Sequence, residues 1–202
     1  MNALGQLLRR EVNPVLAGIV SAVVLVGVLV FMIQGRVAIL RDGTEIVLRT
    51  APVDPRDLMR GDYVQLRYED ISVVDASLFA GDWPEQDSFV PLWLTLEAGE
   101  AGLATVKSVS LEKPDSVNTK SVYLKSKPVM LYGADRERLK TVSFSLTFGI
   151  ERYYVPEGEG LEIEQARNQK RTTVAIRVSK GGQAQIMRLM IDGETLYEEP
   201  LY

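Results

Sequence analysis

The chain of 202 residues contains neither histidine nor cysteine. Their absence excludes the Ser-His-Asp triad, the thiolate nucleophile, zinc sites built from imidazole or thiolate, histidine-held haem and every disulfide. Basic charge is also short, with 23 Lys and Arg against 27 Asp and Glu and a net charge of −4. Setting aside the first 33 residues, which hold Arg9, Arg10 and Glu11, leaves 21 positive and 26 negative side chains. An acidic remainder of that kind is a poor partner for nucleic acid, and none is expected. No low-complexity tract, charge block or Pro/Gly/Ser linker divides that remainder, and its length is enough for one modest core.

One region is rich in what the rest lacks. From Val15 to Ile33 run nineteen residues without a charge, and Ser21 carries the only hydroxyl. At 1.5 Å per residue such a helix is close to the roughly 30 Å of bilayer hydrocarbon, and its apolar character all round is that of a transmembrane helix. A cleaved signal peptide is the competing reading, since Arg9 and Arg10 precede the run. The run exceeds the 7 to 15 residues usual for such a segment, and QGRVAIL after it holds no Ala-x-Ala-like site, so an uncleaved signal anchor is expected. The counts of Lys and Arg on the two flanks barely differ. A short basic amino-terminal tail ahead of a first span usually stays in the cytoplasm, so the expected order is a cytoplasmic tail at 1–14, a span at 15–33 and an extracytoplasmic domain at 36–202. The absence of cysteine suits an oxidising compartment.

Beyond the anchor the punctuation is that of a β protein. Val142, Phe144, Leu146, Phe148 and Ile150 alternate with Thr141, Ser143, Ser145, Thr147 and Gly149, which predicts a half-buried strand. Val174, Ile176 and Val178 repeat the period, Gly181-Gly182 supplies a turn, and Met187, Leu189 and Ile191 form the return. Asp192-Gly193 then marks a second hairpin, because that pair tolerates the positive φ angles of a type I′ turn. Further strands are predicted near 45–51, 63–72, 89–96, 104–111 and 122–132. Asp75 to Asp87 reads as a loop or short helix. A helix is expected near 158–169, with Glu157, Glu159, Glu162 and Glu164 toward its start and Arg167, Lys170 and Arg171 at its end, the charge order a helix dipole favours. The expected fold class is therefore mainly β: an amino-terminal transmembrane helix, then one mostly antiparallel β domain, a sandwich or partly closed barrel, with one helix.

The densest cluster of polar and turn residues is PVDPRDLMRGDYVQLRYED, Pro52 to Asp70. Gly61-Asp62 follows Arg60 at a tight turn into a strand whose Val64, Leu66 and Tyr68 face the core while Tyr63, Gln65, Arg67 and Glu69 face away. Asp62 is placed to accept hydrogen bonds from turn N–H groups or to pair with Arg60 or Arg56. Gly61, Asp62, Tyr63, Leu66 and Tyr68 match in full the pattern that names the GDYXXLXY family of bacterial membrane-anchored proteins. The stretch from Phe148 through Glu151, Arg152, Tyr153, Tyr154, Val155, Pro156, Glu157, Gly158, Glu159 and Gly160, followed by Glu162 and Glu164, resembles that family's second signature. The resemblance implies an amino-terminal membrane helix in a bacterial cytoplasmic membrane and an extracytoplasmic domain. It further implies a multi-spanning membrane partner, and it carries no established activity.

Enzyme readings find little material. The segment DPRDLMRGDYVQL loosely resembles the Gly-Asp turn of type I signal peptidases, whose serine precedes the proline. Here Val53 and Asp54 stand at those positions, no serine lies between Arg36 and Arg67, and the first lysine is Lys107, so a Ser-Lys dyad has lost its nucleophile. Glu151, Glu157, Glu159, Glu162 and Glu164 could include a pair that shares a proton or holds Ca²⁺, but solvent-facing acids matched to the dipole explain them more simply. A glycosidase would need a cleft lined by Trp83, Trp93, Tyr153 and Tyr154, and with 7% aromatics core packing is the cheaper account. No catalytic residue, cofactor or metal is expected. Tyr63, Tyr153 and Tyr154 beside Arg60, Arg67 and Arg152 offer an interaction patch if they face outward, since Tyr and Arg dominate binding surfaces.

Overall fold

The computed structural model describes residues 13–53, 63–99, 102–114, 120–134 and 143–200. The chain divides into two units, Met1–Val37 and Ala38–Tyr202. Helix α1 (Pro14–Asp42) starts in the first, and its last five residues belong to the second. Asn13 caps its start by accepting a hydrogen bond from the Val15 N–H at 3.0 Å, and Pro14 takes the first helical position, where a missing N–H costs nothing. Every residue from Val15 to Ile33 is exposed, Phe31 by 80%. Twenty-nine residues give a length of about 43 Å, long and apolar enough to cross a membrane.

The second unit is antiparallel throughout its strand pairs. In chain order its strands begin with β1 (Thr44–Arg49), β2 (Tyr63–Gln65), β3 (Val73–Asp75), β4 (Ser88–Val90), β5 (Trp93–Ala98) and β6 (Ala104–Ser110). They continue with β7 (Ser121–Lys125), β8 (Val129–Leu131), β9 (Ser143–Ser145) and β10 (Arg152–Tyr154). Helix α2 (Gly160–Asn168) follows, then β11 (Thr172–Val178), β12 (Ala184–Ile191) and β13 (Glu194–Glu198). The largest sheet runs β1-β11-β12-β13, a second runs β6-β5-β7, and three two-stranded ribbons pair β2 with β10, β3 with β9 and β4 with β8. Among the described residues these sheets stay open and form no closed barrel. One contiguous core joins them, from Ile46 and Leu48 through Leu92, Leu94 and Leu96 to Val174, Ile176 and Leu189.

Four expected strands are interrupted; that at 63–72 keeps a ladder only over Tyr63–Gln65 and turns at 69–71. The run predicted at 89–96 divides into β4 and β5 around Pro91, and that at 122–132 into β7 and β8 around Pro128, because proline has no N–H to give a ladder. The alternating run at 141–150 forms a ladder only over Ser143–Ser145, although Phe144, Leu146, Phe148 and Ile150 all point inward as expected. Its backbone changes partner instead: the Leu146 N–H donates to Ser72 O and Thr147 O accepts from the Lys127 N–H. Thr141 and Val142 lie outside the described residues.

The two predicted hairpins form. Asp192 and Gly193 take φ of 53° and 86°, the left-handed pair that joins β12 to β13. At the β11–β12 turn Gly182 has φ of 79°, and its carbonyl accepts from the Lys125 N–H at 2.9 Å, which ties the four-stranded sheet to β7. A Cβ at that position would lie 2.5 Å from Trp93 Cζ3 and 2.8 Å from Lys125 Cβ, so only glycine fits.

Candidate functional site

The two sequence signatures, some eighty residues apart, are one structure. Strand β2 pairs with β10 in the register Tyr63 to Tyr154, Val64 to Tyr153 and Gln65 to Arg152. The ladder then continues with different bonds: the Leu66 N–H donates to Glu151 O at 2.8 Å, and the Tyr68 hydroxyl donates to Ile150 O at 2.6 Å. Val64, Leu66, Tyr68 and Tyr153 all face the core, as the period-two reading of the first three requires. Tyr68 is 1% exposed, and its own N–H donates to Ser72 Oγ. Burial pushes the Tyr68 phenol well above its ordinary pKa, and the Glu151 carboxylate adds to the rise.

Two charged residues hold this assembly. The carboxylate of Glu151 accepts the N–H groups of Phe148 at 2.5 Å and Gly149 at 2.9 Å, closing the turn in which Gly149 takes φ of 87°. Arg167, which stands in the last turn of the helix as its charge order led one to expect, is only 1% exposed. Its Nη1 donates to Gln65 O at 2.5 Å, its Nη2 to Val53 O at 3.3 Å, and both Nε and Nη2 to Asn168 Oδ1. The guanidinium thus bonds one carbonyl on each side of the 54–62 segment. Burial lowers its pKa and nearby Glu164 opposes the drop. The clue was available in the spacing, because Ile163 and Arg167 lie four apart and share the inward stripe of α2 with Ala166.

The helix ends in a Schellman arrangement: the Arg171 N–H donates to Ala166 O and the Lys170 N–H to Arg167 O, both at 2.9 Å. Lys170 takes φ of 60°, where glycine is usual, and its Nζ pairs with Glu69 at 2.8 Å. At the other end Gly160 packs beside Val64 and Val155, so the helix start rests on the back of β2. Gly158 takes φ of 90° in the turn after Pro156, which explains a glycine there.

The outward side of the same ribbon differs in character. Tyr154 is 72% exposed and stands opposite Tyr63, with ring centroids 6.0 Å apart. The Arg152 guanidinium lies 5.4 Å from the Tyr63 ring centre, within cation–π range. Gln65 and Arg67 are exposed beside them. Tyr153 does not join this face: it is 7% exposed and packs on Tyr197 at 6.0 Å. Burial and the Glu199 carboxylate both raise its pKa. Arg60, Gly61 and Asp62, with Arg56, lie outside the described residues.

The acids do not gather. Glu157, Glu159 and Glu162 are exposed, Glu164 is half-buried, and Glu151 is committed to its turn. No group of three or more carboxylates is placed to hold a metal ion among the described residues. Trp83 is buried, stacked on Phe144 at 5.6 Å with its Nε1–H donating to Tyr132 O, and no ring contact joins it to Trp93, Tyr153 or Tyr154. A sugar cleft lined by those four rings is not formed.

Comparison with curated proteins and with solved structures returns no match. The family model described as "GDYXXLXY protein" matches residues 25–189, which takes in both signatures, most of the apolar helix and nearly the whole β domain. The chain belongs to the GDYXXLXY family.

Proposed function

We propose that the chain is a single-pass protein of a bacterial cytoplasmic membrane whose β domain acts by binding, as an accessory subunit beside a polytopic membrane protein. In this reading residues 1–14 are cytoplasmic, 15–33 span the bilayer, and the domain from residue 36 onward is extracytoplasmic. The observation that carries the binding role is Tyr154, 72% exposed and set against Tyr63 beneath Arg152. The inward residues of both signatures are accounted for by packing and hydrogen bonds. Two tyrosines and an arginine on the outer face have no such account, and those residue types supply rigid contact area at low entropic cost.

Photo-crosslinking tests it. A photoreactive residue at position 154, with the full chain at native expression in native membranes, is expected to trap a multi-spanning protein, whereas recovery of monomer alone overturns the accessory role. Topology is read separately, by placing single cysteines in this cysteine-free chain and labelling them from either side of the membrane.

A further inference from the structure

The strongest unassigned cluster lies away from the signatures, where two lysines stand at one tryptophan and a third lysine belongs to the turn alongside. Trp93 is half-buried in the central strand of the β6-β5-β7 sheet. Lys125 stands opposite it across the ladder with Nζ 5.4 Å from the ring, and Lys113 Nζ lies 6.0 Å from the same ring. Lys113 Nζ also donates to Lys180 O at 2.8 Å, which brings the β11–β12 turn alongside. All three lysines are exposed, and none has a carboxylate within ion-pair distance among the described residues. In a domain of net negative charge, that is a local concentration of cations beside an indole.

Its place in the fold suggests the occupant. Lys180 comes two residues after Val178, and Val178 pairs with Thr44, two residues after the end of α1. At that same end the Arg177 guanidinium donates to Leu40 O and Arg41 O, satisfying carbonyls that a helix terminus leaves free. Asp42 lies only nine residues beyond Ile33, the last of the apolar run, so few residues separate the apolar run from the start of the domain.

We propose that Lys113 and Lys125 at Trp93, with Lys180 on the adjoining β11–β12 turn, form a contact for anionic phospholipid headgroups of the bilayer that holds α1, on the leaflet from which the domain emerges. This rests on the reading of α1 as a membrane anchor. Each ammonium near an anionic surface favours contact roughly fivefold, so three give on the order of a hundredfold over a neutral surface. Trp93 supplies the amphipathic ring that settles at headgroup depth.

The test uses the full chain reconstituted in vesicles of phosphatidylcholine alone, or of phosphatidylcholine with phosphatidylglycerol, carrying a headgroup spin-label quencher. A fluorophore is attached through Gly181→Cys, where a Cβ meets only Ser179 Oγ at 3.6 Å. The control label is at Glu194→Cys, at the opposite end of the four-stranded sheet, roughly 20 Å along β11. Quenching at 181 but not at 194, deeper with phosphatidylglycerol, relieved by high salt and lost in the Lys113→Gln/Lys125→Gln/Lys180→Gln variant, is the expected result. Equal quenching in both vesicles overturns headgroup recognition. No quenching at 181 while the chain withstands an alkaline wash overturns the contact and leaves the anchor standing. Release of the chain by that wash overturns the anchor itself, and the contact with it.

Discussion

The four-stranded sheet and the signature ribbon solve the same problem, satisfying backbone polar groups inside one core, by different means. In the sheet, β1 and β11 share six register pairs and β11 and β12 share seven, so the backbone bonds largely to itself and any sequence with the right period serves. The ribbon has three register pairs, after which Tyr68, Ser72, Glu151 and Arg167 supply hydrogen bonds that a ladder would otherwise make. Where side chains replace ladder bonds, residue identity and not only polarity is specified. That is a physical reason for a recognisable signature to sit on the shortest strands of the domain and not on the longest.

The largest effect should come from Arg167→Ala, which leaves Gln65 O and Val53 O without this donor and opens a cavity under β2. We expect a loss of roughly 4 kcal/mol, read as a lowered midpoint in denaturation of the full chain in detergent. A loss under about 1 kcal/mol would mean that the ribbon does not depend on side-chain bonds, and the comparison fails. Next is Gly182→Ala, which tests the other region where its β11–β12 turn meets β7. A methyl group against Trp93 and Lys125, on a backbone at φ of 79°, should cost about 3 kcal/mol. The same change at Gly181, with only Ser179 Oγ at 3.6 Å, should be nearly silent.

Tyr68→Phe is smaller, about 1 to 2 kcal/mol for the lost bond to Ile150 O. It also carries a pH signature. Tyr68 and Tyr153 both have pKa values raised by folding, so their stabilisation is complete below the ordinary tyrosine value of about 10. Above that, the unfolded chain loses protons that the native state retains, and stability falls by about 1.4 kcal/mol per pH unit for each group until the folded pKa is passed. Removing the Tyr68 phenol should halve the alkaline slope of the melting temperature. An unchanged slope would show that the phenol is not protected.

The same contrast explains what could be read in the sequence. Period two placed every inward residue of 142–150 that the structure describes, and Asp192-Gly193 announced its turn, because burial side and left-handed φ are local properties of residue type. Hydrogen-bond partners are not local. Nothing in the alternation at 143–150 says that the chain hands its bonds from β3 to Ser72 and then to Lys127, so one long strand was expected where a three-residue ladder forms. Charge order along the helix puts Arg167 in the last turn, where it is, but the carbonyls that its buried guanidinium bonds lie far away in the sequence and no local pattern names them. Tyr63, Tyr153 and Tyr154 were one candidate patch, and the register divides them, since neighbouring residues on a strand face opposite ways.

That division supplies the finest test of the ribbon. If Tyr154 is a contact residue and not a structural one, Tyr154→Ser should change stability by no more than about 0.5 kcal/mol, because a side chain 72% exposed surrenders little buried area. Its neighbour Tyr153, 7% exposed against Tyr197, should cost about 3 kcal/mol on the same substitution. Crosslinking to the membrane partner, followed from a photoreactive residue at Tyr63, should fall in the Tyr154→Ser protein although its melt is unchanged. A Tyr154→Phe protein should keep the crosslink if ring area carries the contact and lose it if the hydroxyl does. Should Tyr154→Ser destabilise the domain as much as Tyr153→Ser, both faces of the ribbon are core. The signature would then be wholly a folding device, and the binding surface would have to be sought elsewhere on the domain.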